Sequence, residues 1–267
     1  MALGGEVLAL AASVGQSQRQ LEMDAFREVV AADAKAKVEQ IPGMVEAHMA
    51  MFRENFTMSQ EEARSTLATA AGDVKAGKSS AAMKMLVLKM NDALAQDIEV
   101  LASVAQWIAM LVPVVEDGNN FGCDVQQHVY KTVKDACTAL QALQDSLASY
   151  YSDRGGAVEK VTSFPTKKVS SSTSKSSTTG GKEEEAGDKT ATSETTEQSA
   201  TETAVCEDHV EHVAMIDLKW YNKMKGMLMT MVESIAVAGD IVTKNLSKIE
   251  NPRGEGGGGG SHAFNMY

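Results

Sequence analysis

Cys206, His209 and His212 are the residues whose types and spacing come nearest to a metal site in this chain. They recur at every third position, which places three potential ligands for a soft metal on one face of a helix. Three ligands on a single helix converge poorly on one ion, and no fourth ligand is evident. The chain has no Glu-x-x-His pair of the kind that di-iron helix bundles use. We therefore expect no metal, cofactor or catalytic centre, and favour an exposed polar helix start.

A second group of polar residues suits recognition rather than catalysis. The segment Glu116-Asp117-Gly118-Asn119-Asn120-Phe121-Gly122 lies between two helical patterns and offers carboxylates and amides in a short turn. Pro113 stops the preceding helix, and Asn119 or Asn120 can cap the next one. Residues 113–122 are thus predicted to form an ordered hairpin tip. An ordinary connecting turn is the alternative that these residues leave open.

The C-terminal segment is a candidate binding element. A glycine run at 256–260 is followed by Phe264, Asn265, Met266 and Tyr267, and Tyr267 carries the α-carboxylate. Capture of a chain-end carboxylate is a known mode of peptide recognition, and glycines provide a flexible tether. Residues 252–267 are therefore predicted to be a flexible tail that binds a partner. A disordered terminus, or an engineered linker suggested by the glycine run, is the alternative.

Four long apolar patterns with steps of three and four predict the helices that would position these elements. We expect a flexible tail at 1–15, helices one to three within 16–163, and helix four at 205–251. A kink or break is expected at Pro42-Gly43, a mostly irregular connection at 56–77, and an N-cap at Ser79 or Ser80. The third helix is expected to end near Arg154-Gly155-Gly156 or to resume beyond it through Val158 and Val161. The predicted fold is all-α, an elongated four-helix bundle whose wide apolar stripes favour side-by-side assembly.

Composition restricts the partners. Residues 164–204 are dominated by Ser, Thr, Lys and Glu, so this insert is predicted to be disordered. The net charge of -11 disfavours nucleic-acid binding. The three cysteines fit a reducing compartment, and neither a signal peptide nor a membrane span is recognisable. We expect a protein of the cytoplasm or nucleus.

The segment from Pro113 to Gly122 resembles the activation loop of the 11S (PA28/REG) proteasome activators. Two further segments resemble the same family: residues 149–158, and Asn251-Pro252-Arg253-Gly254-Glu255 with the terminal Met-Tyr pair. Val114 replaces a basic residue found in some members. A Ser/Thr-rich insert between helices three and four replaces the charged insert that some members carry between helices one and two.

The resemblance implies a non-catalytic, ring-shaped homo-heptamer that acts on the 20S proteasome without ATP or ubiquitin. C-terminal tails would dock in pockets of the proteasome α-ring, and activation loops would open its gate to peptide substrates. Asn119 matches the family position that points at the gate. A helical oligomeric scaffold without proteasome activity is the alternative function.

Overall fold

The computed structural model describes residues 3–71, 80–114, 118, 120–163 and 206–254, with side chains from residue 18 onward except at 70 and 71. Every regular element in these ranges is an α-helix. In chain order the helices are α1 (Leu3–Asn55), α2 (Gln60–Ala71), α3 (Ala81–Met110), α4 (Phe121–Leu147), α5 (Ser149–Thr162), α6 (Glu207–Lys244) and α7 (Leu246–Glu250).

The long helices form a four-helix bundle, as predicted. Helices α1 and α4 each pack against both α3 and α6, and α3 also contacts α6. The core is built from the apolar stripes of these helices, with Trp107, Leu140, Tyr150, Trp220 and Leu228 among its fully buried side chains. Length and apolar composition would also let α6 cross a membrane. In the bundle, however, α6 is one of the four core helices, and its apolar stripe is buried against the other three.

Helix α3 begins where the sequence predicts. Ser80 is its N-cap, and the Ser80 hydroxyl accepts a hydrogen bond from the backbone N–H of Met83 at 3.4 Å. Such a bond satisfies one of the amide groups that a helix start leaves without an intrahelical partner. The helix ends at Met110, three residues before Pro113. Its predicted stripe is buried for most of its length, from Met83 to Ile108.

Helix α1 runs unbroken through Pro42, so the break is wrong, and the kink given as its alternative stays a prediction. Proline removes one backbone donor and costs about 3 kcal/mol inside a helix. Packing on both sides of Pro42 offsets this cost, since Ile41 and Met44 are buried in the core. The backbone of α1 also begins at Leu3, within the segment where a frayed tail is expected. That segment contains no proline and is rich in Ala and Leu, which favour helix.

Helix α2 replaces the mostly irregular connection predicted for 56–77. Its start is a reciprocal capping box: the Ser59 hydroxyl accepts from the Glu62 amide at 3.2 Å, and a Glu62 carboxylate oxygen accepts from the Ser59 amide at 2.8 Å. Ala63 and Leu67 are buried and hold α2 on the bundle, where it packs against α6. The Ser-x-x-Glu spacing was the sequence signal for this helix.

The third predicted helix does not end at Arg154-Gly155-Gly156 and includes Val158 and Val161, as the alternative expected. It consists of α4 and α5, separated only by Ala148, whose backbone is itself helical. Gly155 and Gly156 lie inside α5 rather than at its end. Tyr150, Ala157 and Val161 are buried, so packing extends the helix past the two glycines.

The ends of α5 and α6 meet far from the α3–α4 connection. The carbonyl oxygen of Lys160 in the last turn of α5 lies 3.1 Å from Nδ1 of His209 in the first turn of α6. Helices α4 and α5 together span residues 121–162, which places this junction about 60 Å from the start of α4. The Ser/Thr-rich insert therefore leaves and re-enters the bundle at the end opposite to the α3–α4 connection.

Candidate functional site

The predicted loop and the start of the predicted tail lie at the same end of the bundle. Helix α3 ends and α4 begins there, and α7 returns the chain to the same place before residues 251–254. We call this region the loop end and define it by residues 111–126 and 249–254. Helix α7 packs against α4, which fixes the C-terminal segment beside the loop.

Three contacts join the two segments. The side-chain amide of Gln126 donates to the carbonyl oxygen of Ile249 at 2.8 Å, and Gln126 is fully buried. The Pro252 carbonyl oxygen lies so close to Gly122 that a Cβ at residue 122 would stand 1.7 Å from it. The guanidinium of Arg253 donates from Nη2 to the carbonyl oxygen of Val114 at 2.6 Å. Both flanks of the loop are thereby tied to Ile249, Pro252 and Arg253, where the C-terminal segment begins.

Apolar side chains on the two flanks of the loop are exposed to solvent. Val114 is 79% exposed, Phe121 68% and Val112 44%. Solvent-exposed side chains of this size at one tip are typical of a surface that contacts another molecule. The loop end thus combines an internally anchored base with an apolar rim.

The structure describes only part of the predicted loop. Gly118 has a φ of 138°, a conformation that glycine adopts without strain. Asn120 occupies the N-cap position of α4, as one of the two predicted alternatives, but its side chain makes no capping hydrogen bond. Phe121 is exposed and Gly122 is buried. Glu116, Asp117 and Asn119 lie outside the described residues, as do the predicted tail residues Phe264, Asn265, Met266 and Tyr267.

A buried polar cluster, which the sequence did not reveal, connects α5 to α6. The Asp217 carboxylate accepts from the Tyr150 hydroxyl at 2.9 Å and from Nε of Arg154 at 3.1 Å, and all three residues are buried. Burial raises the pKa of Asp217, although Arg154 and Tyr150 both oppose that change. Burial and the Asp217 charge also raise the pKa of Tyr150, which keeps its hydroxyl a donor. The cluster joins α5 to α6 by buried hydrogen bonds.

A second buried pair joins α1 to α3. Nε2 of His48 lies 2.8 and 2.9 Å from the two carboxylate oxygens of Asp97, and Asp97 is completely buried. Burial raises the pKa of Asp97, and the hydrogen bond from His48 opposes this. Asp97 interrupts an otherwise apolar stripe between Leu94 and Leu101. That interruption was the available sequence signal for a buried polar contact.

Cys206, His209 and His212 occupy the first two turns of α6 and its N-cap. Nδ1 of His209 pairs with the Lys160 carbonyl oxygen instead of facing a shared ligand position. Among the residues described, no group of three His, Cys, Asp or Glu side chains could hold a metal ion.

A family model described as "Proteasome activator PA28, C-terminal" matches residues 77–170 and 184–259, well over half of the chain. The chain belongs to the PA28 proteasome activator family. The first matched range includes residues 111–126 and the second includes residues 249–254, so the family match covers both parts of the loop end.

PA28 relatives include "Proteasome activator complex subunit 2" of Homo sapiens, which is 28% identical over 152 residues, covering 57% of this chain and 47% of the relative. The Sus scrofa subunit 2 is 42% identical over 59 residues, covering 22% and 25% respectively. "Proteasome activator complex subunit 3" of Homo sapiens is 22% identical over 176 residues, covering 66% and 54%. The chain spans about half the length of these human relatives.

Among solved structures, a chain in the crystal structure of the archaeal 20S proteasome in complex with the C-terminus of PAN aligns with a TM-score of 0.51. It is 13% identical, and the alignment covers 85% of this chain and 88% of that one. Similarity at this identity concerns the helical fold alone. The 11S subunit of the Plasmodium falciparum proteasome, PA28, aligns at 20% identity over 66% of this chain and 59% of that one, with a TM-score of 0.47.

Proposed function

We propose that this protein is a non-catalytic activator of the 20S proteasome that stimulates peptide hydrolysis independently of ATP and ubiquitin. The observation that carries the proposal is the joining of the loop flanks to the start of the C-terminal segment at one end of the bundle. A gate-opening activator needs one element that holds the protease and another that acts on its entrance. Both must reach the same surface, and here both originate within a few ångströms of each other. Membership of the PA28 family supports this assignment.

In this proposal the tail ending in Phe264, Asn265, Met266 and Tyr267 docks in pockets of the proteasome α-ring. The loop of Glu116 to Gly122 then contacts the gate, with Asn119 as its principal residue. Gate opening requires that the loop bind the open arrangement better than the closed one, because equal affinity would shift nothing. A loop with an anchored base loses little conformational entropy when it binds. More of its binding energy is then available to favour the open gate over the closed one.

We further propose that the chain assembles as a homo-heptameric ring. Large apolar side chains remain exposed on the outer faces of a single subunit, on α1, α3 and α6: Leu21, Phe26, Val29, Met85, Leu88, Met229 and Val237. Burying such faces between identical subunits would stabilise a closed ring. A ring also multiplies weak tail contacts, because each bound tail raises the effective concentration of the others. Peptides passing the opened gate are the substrates, and the cytoplasm or nucleus is the proposed location.

Purified 20S proteasome and a fluorogenic peptide test the proposal directly. Adding the chain without ATP should raise the rate of hydrolysis, and native mass spectrometry should give seven times the subunit mass. Boiled chain and 20S alone are the controls. An unchanged hydrolysis rate despite a folded oligomer would leave the helical scaffold as the better description.

A further inference from the structure

The two limbs of the loop are held in different ways. The downstream limb runs directly into α4, and its first residues are fixed by the core: Gly122 lies against Pro252, and buried Gln126 bonds to Ile249. The position of this limb is therefore set by the bundle itself.

The upstream limb, residues 112–114, has left the helix. The Val112 amide makes a bond of 3.4 Å to the Ala109 carbonyl oxygen, and Pro113 has no amide hydrogen to offer. The side chains of Val112 and Val114 are exposed. Core packing therefore contributes little to holding this limb, and its placement depends on hydrogen bonds to its backbone.

Arg253 supplies such a bond. Its Nη2 donates to the carbonyl oxygen of Val114 at 2.6 Å, across a sequence separation of 139 residues. A hydrogen bond from a guanidinium to a carbonyl is charge-assisted and stronger than a neutral one. Pro252 restricts its own backbone and that of the preceding residue, so Arg253 follows a conformationally restricted segment. The start of the tail thus holds the limb that the core does not.

We infer that Arg253 is a positioning residue that fixes the upstream limb of the loop and thereby sets how often the loop is placed to open the gate. This inference rests on the proposed function. Loss of the bond should lower the fraction of loops in the competent position, and maximal stimulation falls with that fraction. Tail docking depends on residues beyond the glycine run, so the affinity for the proteasome should be retained.

The test compares Arg253→Ala and Arg253→Lys with Lys248→Ala, a control that removes the same charge from an exposed position on α7. Peptide hydrolysis is measured against activator concentration, which separates the plateau from the half-saturating concentration. We expect Arg253→Ala to lower the plateau by about tenfold with little change in half-saturation. Arg253→Lys keeps one donor and should recover part of the plateau, and Lys248→Ala should match the wild type.

Hydrogen exchange of the activator alone distinguishes positioning from direct contact with the proteasome. The described amides of the upstream limb should exchange faster in Arg253→Ala than in Lys248→Ala. A lowered plateau with unchanged exchange would overturn the inference, because Arg253 would then act on the proteasome itself. The inference would also be overturned if Arg253→Ala reached the wild-type plateau of hydrolysis. The same holds if a higher half-saturating concentration accounted for all of its lost stimulation. If the wild-type chain fails to stimulate, the proposed function fails instead, and the exchange comparison still reports on the Arg253 bond.

Discussion

The carbonyl oxygen of Pro252 occupies the space that a side chain at Gly122 would need. A Cβ built on Gly122 lies 1.7 Å from that oxygen, and the carbonyl belongs to backbone that cannot turn away as a flexible side chain could. Residue 122 must therefore be glycine for α4 and the C-terminal segment to meet as they do. The close approach gives the loop end its compact base.

Gly122→Ala should separate the C-terminal segment from α4. The clash should cost about 1–3 kcal/mol of unfolding free energy, as over-packing generally does. Gly226→Ala is the matched control, since nothing lies within 4 Å of a Cβ at that helical position. There alanine should stabilise by about 0.5–1 kcal/mol through lower backbone entropy in the unfolded chain. Urea unfolding at equal protein concentration measures both, and equal effects of the two variants would contradict the close approach.

Asp217→Ala should strongly destabilise the bundle. It leaves the buried Arg154 guanidinium without its carboxylate partner, which typically costs about 3–5 kcal/mol. Asp135→Ala breaks the exposed ion pair with Lys131 and should cause no measurable change. Thermal and urea unfolding of the two variants gives the comparison. A small effect of Asp217→Ala would show that the cluster admits water or rearranges.

The pH dependence of stability should reveal the Asp97 carboxyl. Its pKa is raised by burial above the ordinary 3.8, so the folded chain holds this proton at pH values where the unfolded chain has lost it. The contribution of Asp97 to the unfolding free energy therefore falls as the pH rises above that ordinary value. As the pH rises above about 4, the ordinary pKa of an aspartate side chain, the wild type should lose stability relative to Asp97→Asn. Urea midpoints of both proteins report the difference, and a relative gain by the wild type would mean that the His48 bond outweighs burial.

The bundle was predictable from the sequence because its core comes from local periodicity. The stripe of α3 from Met83 to Ile108 and the Ser80 cap follow from steps of three and four and from one hydroxyl at a helix start. The error at Pro42 arose because local propensity was outweighed by the burial of Ile41.

The contacts of the loop end were not predictable in the same way. Gln126 meets Ile249 across 123 positions and Arg253 meets Val114 across 139, and no periodic pattern encodes such pairs. Helix α2 was different. Its Ser59–Glu62 capping box follows a known sequence pattern, but the small residues around it suggested an irregular connection. The loop itself was recognised by resemblance, and the roles of Glu116 to Gly122 stay a prediction.

Asn119→Tyr should preserve binding to the 20S proteasome and abolish stimulation. A bulky ring at the proposed gate contact would prevent the fit that favours the open arrangement, while the tails still dock. Thr138→Tyr, at an exposed position on α4, is the control and should stimulate normally. Co-sedimentation measures binding and peptide hydrolysis measures opening. Full stimulation by Asn119→Tyr would remove Asn119 from the mechanism.

Deletion of Tyr267 should abolish association with the proteasome. The deletion moves the terminal carboxylate and removes the aromatic side chain, and both are needed for capture of a chain end in a pocket. The loss of affinity is amplified because every tail of a ring carries the deletion. Ser261→Ala is the control within the same tail. Surface plasmon resonance on immobilised 20S gives the affinity, and unchanged binding would exclude the tail as the anchor.

The contact between Lys160 and His209 allows the segment between α5 and α6 to change in length without moving either helix. Their contact closes the bundle at the end remote from Val114 and Arg253, so a segment inserted between α5 and α6 starts and finishes at one spot. Closing a flexible segment costs little more as it grows, only about 0.6 kcal/mol for each doubling of length. The Ser/Thr-rich stretch can therefore lengthen, shorten or change its chemistry over generations while the loop end keeps its shape.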